Sequence, residues 1–169
     1  MLMKAYDKNP QAHLFWCLKQ KRGIKVEKPN EALCEAYFKK AKSALNMLSA
    51  ASQLSEVDWI ASTAYYARYF AFYALLQTCG ITSEIHDCTI SLLRVLFVEE
   101  KLLPQETYTE LKSAKELRVD TQYYLPDDTD LQKIKKEAET ARTFVLKMEE
   151  IADKLHNDQI TKLRQKLQP

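Results

Sequence analysis

The residues of this chain best suited to chemistry are arginines and tyrosines rather than a paired nucleophile and base. Late in the sequence, Glu116-Leu117-Arg118-Val119-Asp120-Thr121-Gln122-Tyr123-Tyr124 sets a guanidinium near a carboxylate and two phenol rings. Arg118 follows Leu111 by seven residues and Ala114 by four, so it continues the inward stripe of a helix. An inward arginine followed by tyrosines can hold phosphate on the guanidinium and stack bases on the rings. A buried ion pair with an acidic residue of a neighbouring helix accounts for Arg118 equally well. A second cluster is the run A-Y-Y-A-R-Y-F-A-F-Y-A-L-L over residues 64–76. Most of its rings read as core, with small alanines admitting close neighbours and tyrosine hydroxyls that need partners when buried. Arg68 in the same run needs a carboxylate, a phosphate or water. The third feature is Gly80-Ile81-Thr82-Ser83-Glu84-Ile85-His86, where a glycine stop precedes a histidine in the first turn of a new helix. A structural histidine bonded to a backbone carbonyl is the simpler reading of His86 than a catalytic one.

Most enzyme classes find no foothold. There is no glycine-rich phosphate loop, no G-x-S-x-G, no H-E-x-x-H and no histidine near an obvious nucleophile. The cysteines at 17, 34, 79 and 88 contain no C-x-x-C pair and read as small buried hydrophobes of a reducing compartment. A metal site from Cys79, His86 and Cys88 lacks a fourth ligand and the usual spacing, so neither a metal nor a cofactor is expected. Residues 1–50 carry 10 basic and 4 acidic groups, residues 51–130 carry 6 and 13, and residues 131–169 carry 9 and 6. Basic ends around an acidic middle fit solvated helix faces, and a total of +2 is far from a dedicated nucleic-acid binder. No secretory pattern stands near Met1, which gives a cytoplasmic expectation.

The elements that must position these residues are helical. With 2 glycines and 5 prolines, the 169 residues have too little punctuation for a β-sandwich or barrel and are about the size of one domain. Pro10, Pro29, Pro104 and Pro126 mark breaks. A short first helix is expected over 10–22, closed by a left-handed Gly23. Asn30 caps a second helix with Leu33, Tyr37, Ala41, Ala44, Leu48 and Ala51 as its buried stripe. A third, over 55–79, opens with a Ser55/Asp58 capping box and is apolar nearly all round, hence central. Arg68 at mid-length, with tyrosines crowding the centre, argues against a membrane span. A fourth helix covers 84–101, and a fifth starts near Pro104. The last begins at 128–130 and carries a heptad seam, Ile134 to Leu155, expected to pack on the second helix. Beyond Leu155 the tail either frays or pairs with another chain. The architecture is therefore all-α, an antiparallel up-and-down bundle of four to five helices with a short extra N-terminal helix.

Taken together, the stretches resemble the HEPN family of small prokaryotic helical proteins. The likeness rests on A-Y-Y-A with its following aromatics and A-L-L (residues 64–76), on Gly80 and His86, and on the Arg118, Asp120, Tyr123 cluster. It covers roughly residues 30–155, leaving 1–29 as an N-terminal extension with a short helix and 156–169 as a charged C-terminal helical extension. The resemblance implies a homodimeric bundle that binds nucleotides or RNA, with a nucleotidyltransferase-like partner protein. It also implies, for many members, a ribonuclease toxin of a toxin-antitoxin pair, whose signature is an arginine followed four to six residues later by histidine. Here Gln122, Tyr123 and Tyr124 follow Arg118 at that spacing. Without an imidazole nothing there titrates near neutrality, and tyrosine is a poor base.

Three expectations follow. The first is a nucleotide- or RNA-binding protein using Arg118, Asp120, Tyr123, Tyr124, Tyr66, Arg68 and His86, without the usual catalytic histidine. The second is a metal-independent ribonuclease in which Arg118 steadies the phosphorane and His86, from another helix, moves protons. The third is a structural or scaffolding bundle whose tail serves assembly.

Overall fold

The computed structural model of the chain describes residues 9–125 and 128–168. Among these, α1 (Pro10–Lys19) is followed by α2 (Glu31–Leu54), α3 (Val57–Thr78), α4 (His86–Leu92), α5 (Gln105–Tyr123), α6 (Asp128–Lys154) and α7 (Asn157–Gln165). Two short strands, β1 (Lys25–Val26) and β2 (Ile81–Thr82), pair antiparallel, Lys25 with Thr82 and Val26 with Ile81. The all-α bundle read from the helical periodicity is the fold, and this ribbon, too short to leave a pattern, ties the N-terminal extension to the loop after α3. The break expected at Pro126 lies outside the described residues.

α3 is the hub because its sequence is apolar on every side; it packs against α2, α6 and α5. Ala64, Ala67, Ala71 and Ala74 are fully covered and let neighbouring helices close in, while Phe72 meets Phe97 edge-on at 5.6 Å. Phe97 belongs to a π-helical stretch, Leu93–Val98, that continues α4. The heptad seam of α6 buries Ile134, Ala141, Val145 and Met148, but it lies chiefly on α3 and only secondarily on α2. The correction has a simple cause: a helix with apolar residues all round can accept the seam, whereas the single stripe of α2 is already spent on α3.

Four local expectations change. Ser55 does not open α3; with φ 57 it is the left-handed cap closing α2, and its N–H returns to Ala51 and Ser52 carbonyls. Gly23 is not in a left-handed conformation, α1 having ended at Lys19; its lack of a side chain matters because a Cβ would overlap the Cys17 carbonyl oxygen. Gly80, at φ +65, does end the α3 region as expected. The tail does not fray: α7 folds back, burying Leu163 and Leu167 in the core. Arg164 Nη1 donates to the carbonyls of Glu27 at 2.7 Å and Cys79 at 3.0 Å, while Lys162 and Lys166 grip Glu100. The cysteines are the fourth correction, since Cys17 and Cys88 form a disulfide, leaving Cys79 buried and Cys34 half-buried as free thiols. Spacing could not reveal a pair separated by 71 residues.

Candidate functional site

The chemistry-bearing residues that converge do so where α3, α4 and α5 meet. α3 contributes consecutive tyrosines, α4 a histidine at its first position, and α5 two cations three residues apart, which share a helix face. Arg118 Nη2 donates to the Tyr66 hydroxyl at 3.2 Å, and its guanidinium carbon stands 5.6 Å from the centroid of that ring. Tyr66 stacks in turn on Phe70 at 5.6 Å and 16°. Arg118 is partly buried, and its Nε, shielded from solvent, has no hydrogen-bond partner. Among the described residues no carboxylate pairs with it, so the ion-pair alternative does not apply to this arginine. Lys115, the other cation, pairs with Asp87 of α4.

His86 is held by tyrosines rather than by the backbone carbonyl expected of it. Its Nδ1 lies 2.5 Å from the Tyr65 hydroxyl, and its ring stacks on Tyr69 at 4.3 Å and 11°. Burial, then the positive charges of Lys115 and Arg118, push the imidazole below 6.5, with Asp87 opposing. Burial raises the Tyr65 phenol well above its usual range, and Tyr69 is pushed up to about 12. A phenol that keeps its proton can donate to or accept from a neutral imidazole, so the Tyr65 hydroxyl orients the His86 ring through Nδ1 and leaves Nε2 as its other polar atom.

The remaining sequence candidates are not part of this cluster. Arg68 is fully buried and faces α6; it donates to the Ala64 carbonyl of its own helix (3.0 Å) and, on α6, to the Glu137 carbonyl (2.8 Å) and Thr140 Oγ1 (2.7 Å). It also sits 2.9 Å from Glu137 Oε2, a Coulombic contact too poorly aligned to count as a hydrogen bond. It forms a buried ion pair on α6, so the structure does not bring it together with Arg118 and His86. Asp120, two residues past Arg118, points about 200° around the helix and is exposed. Tyr123 and Tyr124 are 75% and 73% exposed at the end of α5, out of phase with Arg118 and with no ring or hydrogen-bond contact to it. Lys115, Asp87, Tyr65 and Tyr69 were missed. Lys115 was findable, one turn before Arg118 on the same face.

Two grooves lie away from this junction. One of about 570 Å³ runs between α5 and α6 past Glu110, Lys136 and Glu137, and one of about 480 Å³ is lined by Asn30, Cys34, Thr78 and Asp153. His13, Cys17 and Cys88 cluster within 4.8 Å, yet sulfurs bonded to each other have no thiolates to give a cation. No described helix is long and apolar enough to cross a membrane. In comparison with known families, residues 34–158 match the model described as HEPN domain. No curated protein matches the chain.

Proposed function

The chain belongs to the HEPN domain family, and from that premise we propose that the α3–α4–α5 junction binds the phosphate of a nucleotide or of RNA. The observation that carries this reading is Arg118, a partly buried guanidinium with a tyrosine hydroxyl for its hydrogen-bond partner and no carboxylate counter-charge among the described residues. Such a group keeps most of its five donors for a planar oxyanion. Tyr66 with Phe70 offers a stacked aromatic wall for a base. The family membership adds homodimerisation and a nucleotidyltransferase-like partner to the reading, in the cytoplasm of a prokaryote.

The test is equilibrium binding of mononucleotides and short RNAs to wild type and Arg118→Ala, both checked for helical content. Saturable binding weakened at least tenfold by the substitution supports the site, since a charge-assisted hydrogen-bonded contact is worth roughly 1.5–3 kcal/mol. Absence of saturable binding to wild type would end it.

The second reading, ribonuclease, draws on one arrangement: His86 and Arg118, distant in sequence, meet at one junction through the adjacent Tyr65 and Tyr66, and cleavage by this pair requires His86 to accept a proton. Metal-independent cleavage abolished by His86→Ala would establish the nuclease; a purified protein inert on varied RNAs would exclude it.

A further inference from the structure

The disulfide sits where the N-terminal extension meets the family domain. Cys17 lies on α1, before the first residue of the family match, and Cys88 lies on α4 inside it. Both are fully covered, and their Cα atoms are 5.7 Å apart. Beside them is His13, one turn before Cys17, with Nδ1 at 3.6 Å from Cys17 Sγ and 2.9 Å from Ser91 Oγ of α4. The packing of α1 itself is thin among the described residues, with Leu18 only partly covered. The helix has ten residues, too few to persist alone in water, and buries only Leu14 and Cys17 while Phe15 and Trp16 stay half exposed. On its far side the chain is held separately by the β1–β2 ribbon, by Glu84 N–H to the Arg22 carbonyl at 3.0 Å, and by the exposed Arg22–Glu84 pair. Breaking the sulfur bond therefore loosens α1 without undoing the ribbon.

We propose that Cys17 and Cys88 form a reversible thiol-modification site that clamps α1 to the helix carrying His86, with His13 as the proton acceptor for Cys17 when the clamp closes. Opening consumes two low-molecular-weight thiols or one dithiol: a reductant thiolate attacks one sulfur, the second reductant sulfur resolves the mixed disulfide, and two protein thiols and one small disulfide result. Closing is the reverse with a small disulfide as oxidant. Cys17 passes its proton to the neutral imidazole of His13, the thiolate attacks the small disulfide and expels a small thiolate that takes up that proton; the Cys88 thiol then loses its proton as its sulfur attacks Cys17 Sγ, and the second small thiolate leaves with it. His13 is placed for the task by geometry, with Nδ1 3.6 Å from the sulfur, and burial lowers its pKa while Asp87 and Lys115 pull in opposite senses. Cys88 is two residues from His86 on the same short helix, so the clamp bears on the junction proposed above to bind phosphate. That last consequence rests on the proposed function; the clamp itself does not.

The test uses the full chain. Protein treated with a small disulfide is denatured and alkylated, and two labels per chain are expected, on Cys34 and Cys79; four labels would overturn the proposal. Hydrogen–deuterium exchange on oxidised and reduced wild type should then show α1 amides exchanging roughly tenfold faster or more after reduction, with α3 unchanged. Equal α1 protection in the two states would refute the clamp. Cys88→Ser should reproduce the reduced pattern and Cys34→Ser the oxidised one, while reduced wild type serves if Cys88→Ser does not fold. His13→Ala should slow closure several-fold at an unchanged end point, and an unchanged rate would remove His13 from the mechanism. Finally, nucleotide affinity is compared between oxidised and reduced protein. A redox-dependent α1 with no nucleotide binding in either state defeats the proposed function alone, whereas binding with an immobile α1 defeats the clamp alone.

Discussion

Arg68 and Arg118 lie on facing elements of one bundle and have opposite fates because of what their neighbours offer. Arg68 finds Glu137, Thr140 and two carbonyls, and that set closes around it. Burial raises the Glu137 carboxyl, opposed by the Arg68 charge. Replacing Arg68 by Leu should cost about 3–5 kcal/mol in chemical denaturation, because one buried charge loses its partner, whereas Arg68→Leu with Glu137→Leu should recover much of the loss. His86 gives a pH-dependent counterpart. Its folded pKa lies below 6.5, so between that value and 6.5 the unfolded chain binds more protons, and stability falls as pH drops through this window. Imidazole NMR shifts should give a midpoint below 6.5 in wild type that moves upward in Lys115→Ala. The inward phase of Arg118 was legible from Leu111 and Ala114 alone. The fate of Arg68 was not, since an arginine in an apolar helix announces that a partner exists without saying which. Asp120, Tyr123 and Tyr124 neighbour Arg118 in sequence, and helical phase sets them apart from it in the fold.

At the scale of elements, the helices were written in stripes and breaks, while their ends were decided by single backbone conformations. Asn30 caps α2 through Oδ1 to the Leu33 N–H at 3.0 Å, as its residue type foretells. Ser55 looked like another N-cap but adopts φ 57 to reverse the chain between α2 and α3. Ser55→Gly should relieve the left-handed strain and raise stability by about 1 kcal/mol, read as a shift in denaturation midpoint at constant slope. Gly80→Ala should do the opposite, losing at least about 1–2 kcal/mol, because φ is +65 and a Cβ would collide with the Glu27 carbonyl and the Pro29 nitrogen. The partner of α6 was misjudged since a heptad seam specifies the shape of its neighbour, not its identity; an all-apolar α3 is a better surface for it than a striped α2.

At the scale of the whole molecule, the extensions on either side of the family match are built into the same core as the bundle. Leu14 reaches it from one end, Leu163 and Leu167 from the other. Deleting residues 157–168 should therefore lower thermal stability substantially, as burying each leucine is worth roughly 1.5–3 kcal/mol. A tail serving only assembly would leave the melting temperature of the remaining chain unmoved. Glu100 makes this docking sensitive to acid. Hydrogen bonds from Lys162 and Lys166 hold its carboxyl at about 2, below the ordinary 4.5. Its contribution is complete above 4.5 and is lost as pH falls toward 2, so proteolysis within α7 should accelerate over that interval before the bundle melts. Arg164 carries the broadest implication: it crosses 137 residues of sequence to hold the Glu27 carbonyl and also bonds that of Cys79. A growing polypeptide completes both strands of the ribbon long before residue 164 leaves the ribosome, so the seam must wait unfastened, and a stall downstream of α6 would yield a nascent domain with its hub assembled and its latch missing.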